Sequence, residues 1–196
     1  MTKAYFNSKA HIWDKVIAEK NRGKLKAIAN WLDIKPGSTV LDAGTGTGVF
    51  VPFLLQKISA TGRLICLDFA EEMLDKAKSK GFTGNLEYIC ADIGQTQLNS
   101  GICDAAVCYS SFPHFQDKPK AFKEINRILK PNGKLFICHS SSRDTINEIH
   151  RQMPEVCNDL IPSEMDIRQM LAETGFVDIE IVNTDDRFLV TARKPN

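Results

Sequence analysis

The chain has 196 residues, 43% of them hydrophobic and 25% charged, with a formal net charge of +1. That length and balance suit one soluble globular domain with a sizeable core. Near-neutral charge excludes nucleic acid or an anionic membrane as the default partner, and no apolar run approaches the roughly 18 residues that a membrane span needs.

Met1-Thr2-Lys3 leads into polar sequence instead of a signal-peptide core. Residues 1–35 read as a helical lead-in, with Trp13, Val16, Leu25, Ile28, Trp31 and Leu32 as its apolar contacts. Short apolar runs then recur at Ser38 to Ala43, Arg63 to Asp68, Asn85 to Cys90, Cys103 to Cys108 and Lys134 to Cys138. Such continuous runs suit strands buried on both faces. Between them lie helical patterns at Val49 to Ile58, Ala70 to Lys80 and Asp117 to Lys130. The second has acids in its first turn, bases in its last and Gly81 beyond; the third stops at a Pro131-Asn132-Gly133 turn. Alternation of strand and helix predicts βαβ units and a mostly parallel sheet. After a helix over Ser163 to Thr174, Val177 to Val182 and Arg187 to Ala192 form a hairpin across the polar turn 183–186, so one of the two strands runs antiparallel to the rest.

The six cysteines (Cys66, Cys90, Cys103, Cys108, Cys138, Cys157) include no C-x-x-C pair, and four of them (Cys66, Cys90, Cys108, Cys138) end or lie inside apolar runs. This is the distribution of buried free thiols, which predicts a reducing cytoplasm and no metal site.

The most informative stretch is Asp42-Ala43-Gly44-Thr45-Gly46-Thr47-Gly48, placed where the first strand turns into a helix. In a parallel α/β sheet ligands bind at the carboxyl ends of strands, and glycines there allow tight turns and close backbone approach. The second strand ends at Asp68, a carboxylate placed to accept ribose hydroxyls. Nicotinamide dinucleotides and S-adenosylmethionine both fit this layout. A dinucleotide loop, G-x-G-x-x-G/A, puts Gly or Ala at position 49, which here is Val. Asp42 just before the loop repels a pyrophosphate and attracts an ammonium group. Both points favour S-adenosylmethionine; an NAD(P)-dependent oxidoreductase and a non-catalytic S-adenosylmethionine binder are the alternatives.

With D-A-G-T-G-T-G, the segments L-D-F-A-E-E-M-L (67–74), A-D-I (91–93), D-A-A-V-C-Y-S-S-F-P-H-F (104–115) and K-E-I-N-R-I-L-K-P-N-G-K-L (123–135) make the chain resemble class I S-adenosylmethionine-dependent methyltransferases. The nearest subgroup is the small-molecule enzymes similar to quinone and sterol methyltransferases. The resemblance implies an α/β, Rossmann-like three-layer sandwich, with a seven-stranded, mostly parallel sheet and an antiparallel C-terminal strand. It implies one methyltransferase domain over 1–196, with residues 1–35 as a helical lid and 139–165 as a short cap. It also implies S-adenosyl-L-methionine as cofactor. Asp42, Ala43, Gly44, Thr45, Gly46 and Gly48 would hold the methionine part. Asp68 would bind the ribose, with Phe69 beside it and Met73 near the adenine. Asp92 and Ile93 would meet the adenine, and Tyr109 and Ser110 the sulfonium. Asp92 also reads as a turn cap before Gly94, and Met73 as ordinary core.

Methyl transfer from a sulfonium is an in-line displacement that mainly needs alignment and exclusion of water; a base matters where the acceptor is protonated. The candidate catalytic residues are His114 after the fourth strand, His139 at the end of the fifth, and His150. If residues 143–153 are helical, Arg143, Asn147 and His150 share one face, either lining the site to bind an anionic or metal-bearing acceptor or facing solvent. His114 reads either as a base or as loop packing. The short cap and neutral surface point to a small-molecule acceptor, with no nucleic acid and no membrane partner, in a monomer or homodimer. Tyr109-Ser110-Ser111-Phe112, where DNA N-methyltransferases often carry Asn/Asp-Pro-Pro-Tyr, argues against methylation of a base.

Overall fold

The β-branched and apolar runs assemble into a seven-stranded sheet in the order β3-β2-β1-β4-β5-β7-β6. The structure, a computed structural model, describes residues 2–196; Met1, where the expected lead-in starts, lies outside the described residues. The strands are β1 (Thr39–Ala43), β2 (Arg63–Asp68), β3 (Leu86–Cys90), β4 (Cys103–Tyr109), β5 (Leu129–His139), β6 (Val177–Thr184) and β7 (Arg187–Arg193). Strands β1 to β5 pair in parallel. Only β7 runs against its neighbours, pairing antiparallel with both β5 and β6. The hairpin expectation holds, with its turn tightened to Asp185-Asp186 because Thr184 pairs directly with Arg187.

The helices are α1 (Thr2–Lys9), α2 (Trp13–Val16), α3 (Arg22–Trp31), α4 (Val51–Ile58), α5 (Glu71–Ser79), α6 (Lys118–Ile128), α7 (Arg143–Arg151) and α8 (Glu164–Glu173). Side-chain caps start several of them: Asn21, Asp117, Ser142 and Ser163 each accept a hydrogen bond from the amide three residues on. One face of the sheet buries Val40, Leu64, Val107 and Phe136 against α3 and α4 through Leu25, Ile28 and Leu54. The other buries Leu41, Ile65, Ala106 and Ile137 against α6 and α8 through Phe122, Ile125, Ile167 and Leu171. This helix–sheet–helix layering is the expected Rossmann-like arrangement. Among the described residues, no helix is long and apolar enough to cross a membrane.

Several expectations are corrected. Pro131-Asn132-Gly133 lies inside β5, not in a turn before it. Helix α6 stops at Ile128 because Pro131 pushes the preceding residue toward extended backbone. Asn132 (φ 62°) then takes a left-handed conformation, and the pairing of β4 with β5 slips between Cys103 and Ala105. β3 is only half-buried, because it forms the sheet's edge, and its Cys90 is exposed. Cys103 is buried in its place. Val16 is exposed and supplies no core contact, unlike Leu25, Ile28 and Leu32.

Candidate active site

The strands deliver their last residues to one cavity of about 360 Å³. Asp68, Tyr109 and His139 each end a strand, and Asp42 is next to last in β1; all four line the cavity. This is the carboxyl edge of the parallel strands, on either side of β1 and β4 where the strand order reverses. Helices α1 and α2 close one side through Tyr5, Phe6 and Trp13, and α7 closes another through Ile146, Ile149 and His150.

The turn after β1 uses its glycines for three different purposes. A Cβ on Gly44 (φ +83°) would come within 2.3 Å of the Ser111 Cβ, so this glycine lets the β4 loop press against the turn. Ser111 Oγ donates to the Ala43 carbonyl at 2.6 Å across that contact. A Cβ on Gly48 (φ +80°) would meet Phe82 at 2.8 Å and Ala77 at 3.3 Å. Gly46 alone has open space where a Cβ would stand, and it lines the cavity. Ala43 and Gly48, expected at the cofactor, do not line the cavity and act through packing.

Four amides of this turn are already used. Gly44 and Thr45 donate to the Leu67 carbonyl at 2.7 and 2.9 Å, and Gly48 donates to the Thr45 carbonyl at 2.9 Å. Gly46 donates to Asp68 Oδ2 at 2.8 Å. Beside them the turn offers a ligand negative charge. Asp42 is 1% exposed, its Oδ2 accepts from Thr45 Oγ1 at 2.9 Å, and no cation is among its partners. Burial pushes its carboxyl up to about 7. Asp68 accepts also from the Ala70 amide at 2.9 Å, and burial still lifts it to about 6. Two buried carboxylates short of donors and of positive charge fit the ammonium and ribose hydroxyls of S-adenosylmethionine and oppose a pyrophosphate.

The remaining cofactor candidates surround them. Thr45, Phe69, Met73, Asp92, Ile93, Tyr109 and Ser110 all line the cavity, Met73 being buried on α5. Asp92 Oδ1 caps the turn by accepting from the Gly94 amide at 2.6 Å, so the cap reading is correct, and its side chain reaches the cavity as well. Tyr109 stacks on Phe50 at 4.5 Å between ring centroids, and its buried hydroxyl makes no hydrogen bond. Burial lifts that hydroxyl to about 12.

The three histidines meet at the opposite end. His114 sits in a short 3-10 turn, Phe112–His114, which Lys118 pins by donating to the Pro113 and Phe115 carbonyls at 2.9 and 3.1 Å. Its ring lies edge-on to Phe6 at 4.8 Å and 5.0 Å from the His150 ring. Burial lowers its pKa, against the opposing pull of Asp159, whose Oδ2 lies 2.9 Å from His114 Nδ1. His139 is 3% exposed, its Nε2 has no partner, and burial drives its pKa down to about 3. All three line the cavity.

The helix face Arg143, Asn147, His150 faces neither site nor solvent as a unit. It fastens the segment that returns from α7 to α8. Arg143 Nε donates to the Pro162 carbonyl at 2.8 Å. Asn147 bonds Ile161 twice, Nδ2 to the carbonyl at 3.0 Å and Oδ1 from the amide at 2.8 Å. His150 Nδ1 bonds the Asp159 carbonyl. An anionic acceptor is contradicted by charge, because Glu19, Asp42, Asp68, Asp92 and Asp117 line the cavity and, among the described residues, no lysine or arginine does. No group of His, Cys, Asp and Glu among the described residues is arranged to hold a metal ion. Sequence reasoning missed the roles of Asp14 and Asp159, which belong to no motif, and of Ser111, which lies within the 104–115 segment; all three matter only through the residues that folding brings to them.

A family described as methyltransferase domain matches residues 41–137, which run from β1 to β5 and hold the glycine turn, Asp68, Asp92 and His114. The ubiquinone/menaquinone biosynthesis C-methyltransferase UbiE of Idiomarina loihiensis is 26% identical over 152 residues, 72% of this chain and 60% of that protein. The chain thus spans well under two thirds of that relative's length. A crystal structure of a SAM-dependent methyltransferase from Aquifex aeolicus superposes with a TM-score of 0.76 at 24% identity, covering 95% of this chain and 97% of that one. Haemonchus contortus phosphoethanolamine N-methyltransferase 2 superposes with a TM-score of 0.79 at 17% identity, over 98% of this chain and 58% of its own. By its strand order, its acid-rimmed glycine turn and the matched core, the chain belongs to the class I S-adenosylmethionine-dependent methyltransferases.

Proposed function

We propose that this chain transfers a methyl group from S-adenosylmethionine to an uncharged, ring-bearing small molecule of the hydroxylated quinol type. The observation that carries the donor half is the glycine turn. The amides of Gly44, Thr45, Gly46 and Gly48 are spent internally, while Asp42 stands buried without a cation. Such a seat suits a positively charged ligand. A nicotinamide dinucleotide needs the opposite, free amides and no acid at its pyrophosphate.

The acceptor half rests on the walls at the histidine end. Phe6, Phe69, Pro113, Phe115, Ile146 and Met153 present apolar and aromatic surface, and the His114 and His139 imidazoles among them are kept from charging by burial. A flat, neutral ring with hydroxyls satisfies both, and the quinone chemistry in the Idiomarina relative's name agrees with it. A phosphate-bearing acceptor would face five acids and, among the described residues, no lysine or arginine.

When bound, S-adenosylmethionine supplies a methyl carbon made electrophilic by its sulfonium. The protein's own residues do the rest. Asp42 would hold the methionine ammonium of the cofactor and Asp68 its ribose, and Tyr5, Phe6 and Trp13 keep water from the reacting atoms. His114, unprotonated at neutral pH, takes the hydroxyl proton of the acceptor as its ring becomes nucleophilic. His139 Nε2 meets an acceptor oxygen with the hydrogen bond it lacks in the free protein. Residues 1–35 would form the lid and 139–165 the cap of this site.

Isothermal titration with S-adenosylmethionine and S-adenosylhomocysteine tests the donor half; absence of heat with both overturns the reading. Anaerobic incubation with 1,4-naphthoquinol tests the acceptor half. The expected product is heavier by one CH2 unit and forms only when protein and cofactor are both present.

A further inference from the structure

We infer that Asp159 is a positioning residue that sets the tautomer of two cavity histidines at once, leaving His114 Nε2 and His150 Nε2 with their lone pairs. The inference rests on the reading of His114 as the base. It goes beyond that reading in naming the residue that makes the imidazole competent.

The argument is one of donors and acceptors. An ionised carboxylate only accepts, so the 2.9 Å contact from Asp159 Oδ2 requires His114 Nδ1 to carry the hydrogen. A backbone carbonyl also only accepts, so the contact from the Asp159 carbonyl requires the same of His150 Nδ1. A neutral imidazole has one hydrogen, which leaves each Nε2 free to accept. Both side chains line the cavity, their ring centroids 5.0 Å apart. One residue thus grips two rings, by side chain and by backbone.

Asp159 belongs to no helix or strand, yet it is held firmly. Asn147 clamps Ile161 on both its amide and its carbonyl, and Arg143 holds Pro162. The helix face that looked like a ligand surface is the fastening that brings the Asp159 carboxylate to His114. When His114 Nε2 takes the acceptor's proton, the imidazolium charge falls beside the Asp159 carboxylate. The other titratable groups near His114 are His150 on α7, His139 at the end of β5 and Lys118 on α6, and none of these supplies negative charge.

The test uses the full chain labelled with ¹⁵N-histidine. Long-range ¹H–¹⁵N spectra of the free protein at neutral pH should show His114 and His150 protonated on Nδ1. Protonation of His114 on Nε2 overturns the inference. This readout needs neither cofactor nor turnover, so it stands apart from any failure of the methyltransferase reading. In Asp159→Asn, turnover should fall on the order of 10²-fold, the lower end of what a placed base contributes. The acidic limb of its pH profile should shift to lower pH, because the group that favours the imidazolium is gone. Affinity for S-adenosylhomocysteine should stay as in the wild type. Asp159→Glu should recover part of the rate. An unmoved limb in Asp159→Asn also overturns the inference, since a merely structural role lowers activity without moving a titration.

Discussion

Asp14 and Thr47 tie the N-terminal helices to the glycine turn: Thr47 Oγ1 donates to Asp14 Oδ1 at 2.6 Å, and Lys80 Nζ lies 2.7 Å from Asp14 Oδ2. A residue of α2 is thereby bonded to the same turn that carries Gly46. Asp14→Ala should release this tie. Amide exchange over residues 2–17 should quicken while the sheet keeps its protection. Affinity for S-adenosylhomocysteine should drop by about 1 kcal/mol, roughly fivefold, a partly exposed hydrogen bond to a charge being worth about that. Unchanged exchange would show the tie to be idle.

Asp42 gives a pH signature with a definite sign. Its folded carboxyl titrates at about 7, above the ordinary value near about 4, so between those values the folded state holds a proton that the unfolded state has released. The contribution of Asp42 to stability therefore falls as pH rises through that window. Affinity for a cationic ligand moves the other way, rising as Asp42 ionises. Titrations with S-adenosylmethionine from about pH 5.5 to 8 should show tighter binding at the alkaline end. Asp42→Asn should bind weakly at every pH, with the slope reduced to the part that Asp68, lifted to about 6, contributes; an undiminished slope would move the titration to another group.

The glycines of the turn separate stability from binding. Gly44→Ala forces a Cβ to 2.3 Å from Ser111 and should cost about 3 kcal/mol or more, from the clash together with left-handed backbone. Gly46→Ala meets no atom and should cost only the backbone strain of about 1–2 kcal/mol. Its methyl group enters the cavity, however, so cofactor affinity should suffer more than stability does. Thermal unfolding and calorimetric titration on the two variants distinguish these effects.

His139 is costly to the fold in its free form. An unpaired buried imidazole nitrogen loses about 1–3 kcal/mol of hydrogen bonding with water. His139→Phe should therefore raise the melting temperature by a few degrees at neutral pH while turnover falls. The sign in acid also follows. The folded pKa of about 3 lies below the unfolded value of about 6.5, so the folded state refuses a proton that the unfolded chain accepts. Stability conferred by the neutral ring is lost as pH falls through that window, and His139→Phe should flatten that part of the pH–stability curve.

The alternation of strands and helices and the C-terminal hairpin were legible because apolar runs and turn residues encode them locally. The place of Asp42, Asp68, His114 and His139 at the cavity was legible because each stands at or just past the end of such a run, and that of His150 because it belongs to a helical stripe. The purposes of the glycines were not, since only the folded chain brings Ser111 to Gly44 and Phe82 to Gly48. The stripe Arg143, Asn147, His150 was recognised as a face, but its partners, Asp159 to Pro162, lie in an irregular segment with no periodicity to announce it. The bulge at Pro131-Asn132-Gly133 was mistaken for a strand boundary because its residues are those of a turn, and the ladder simply resumes beyond them.

The carboxylates that line the cavity without a lysine or arginine among the described residues have a consequence for selectivity in a crowded solution. Most small metabolites are kept water-soluble by phosphate or carboxylate groups. A chamber with five carboxylates and no lysine or arginine raises an electrostatic barrier to every such molecule before shape is consulted. The same carboxylates concentrate cations, so donor and acceptor are sorted by the sign of their charge. What is rejected at the entrance need not be discriminated against in the transition state, which leaves the three histidines to distinguish among the few uncharged molecules that remain.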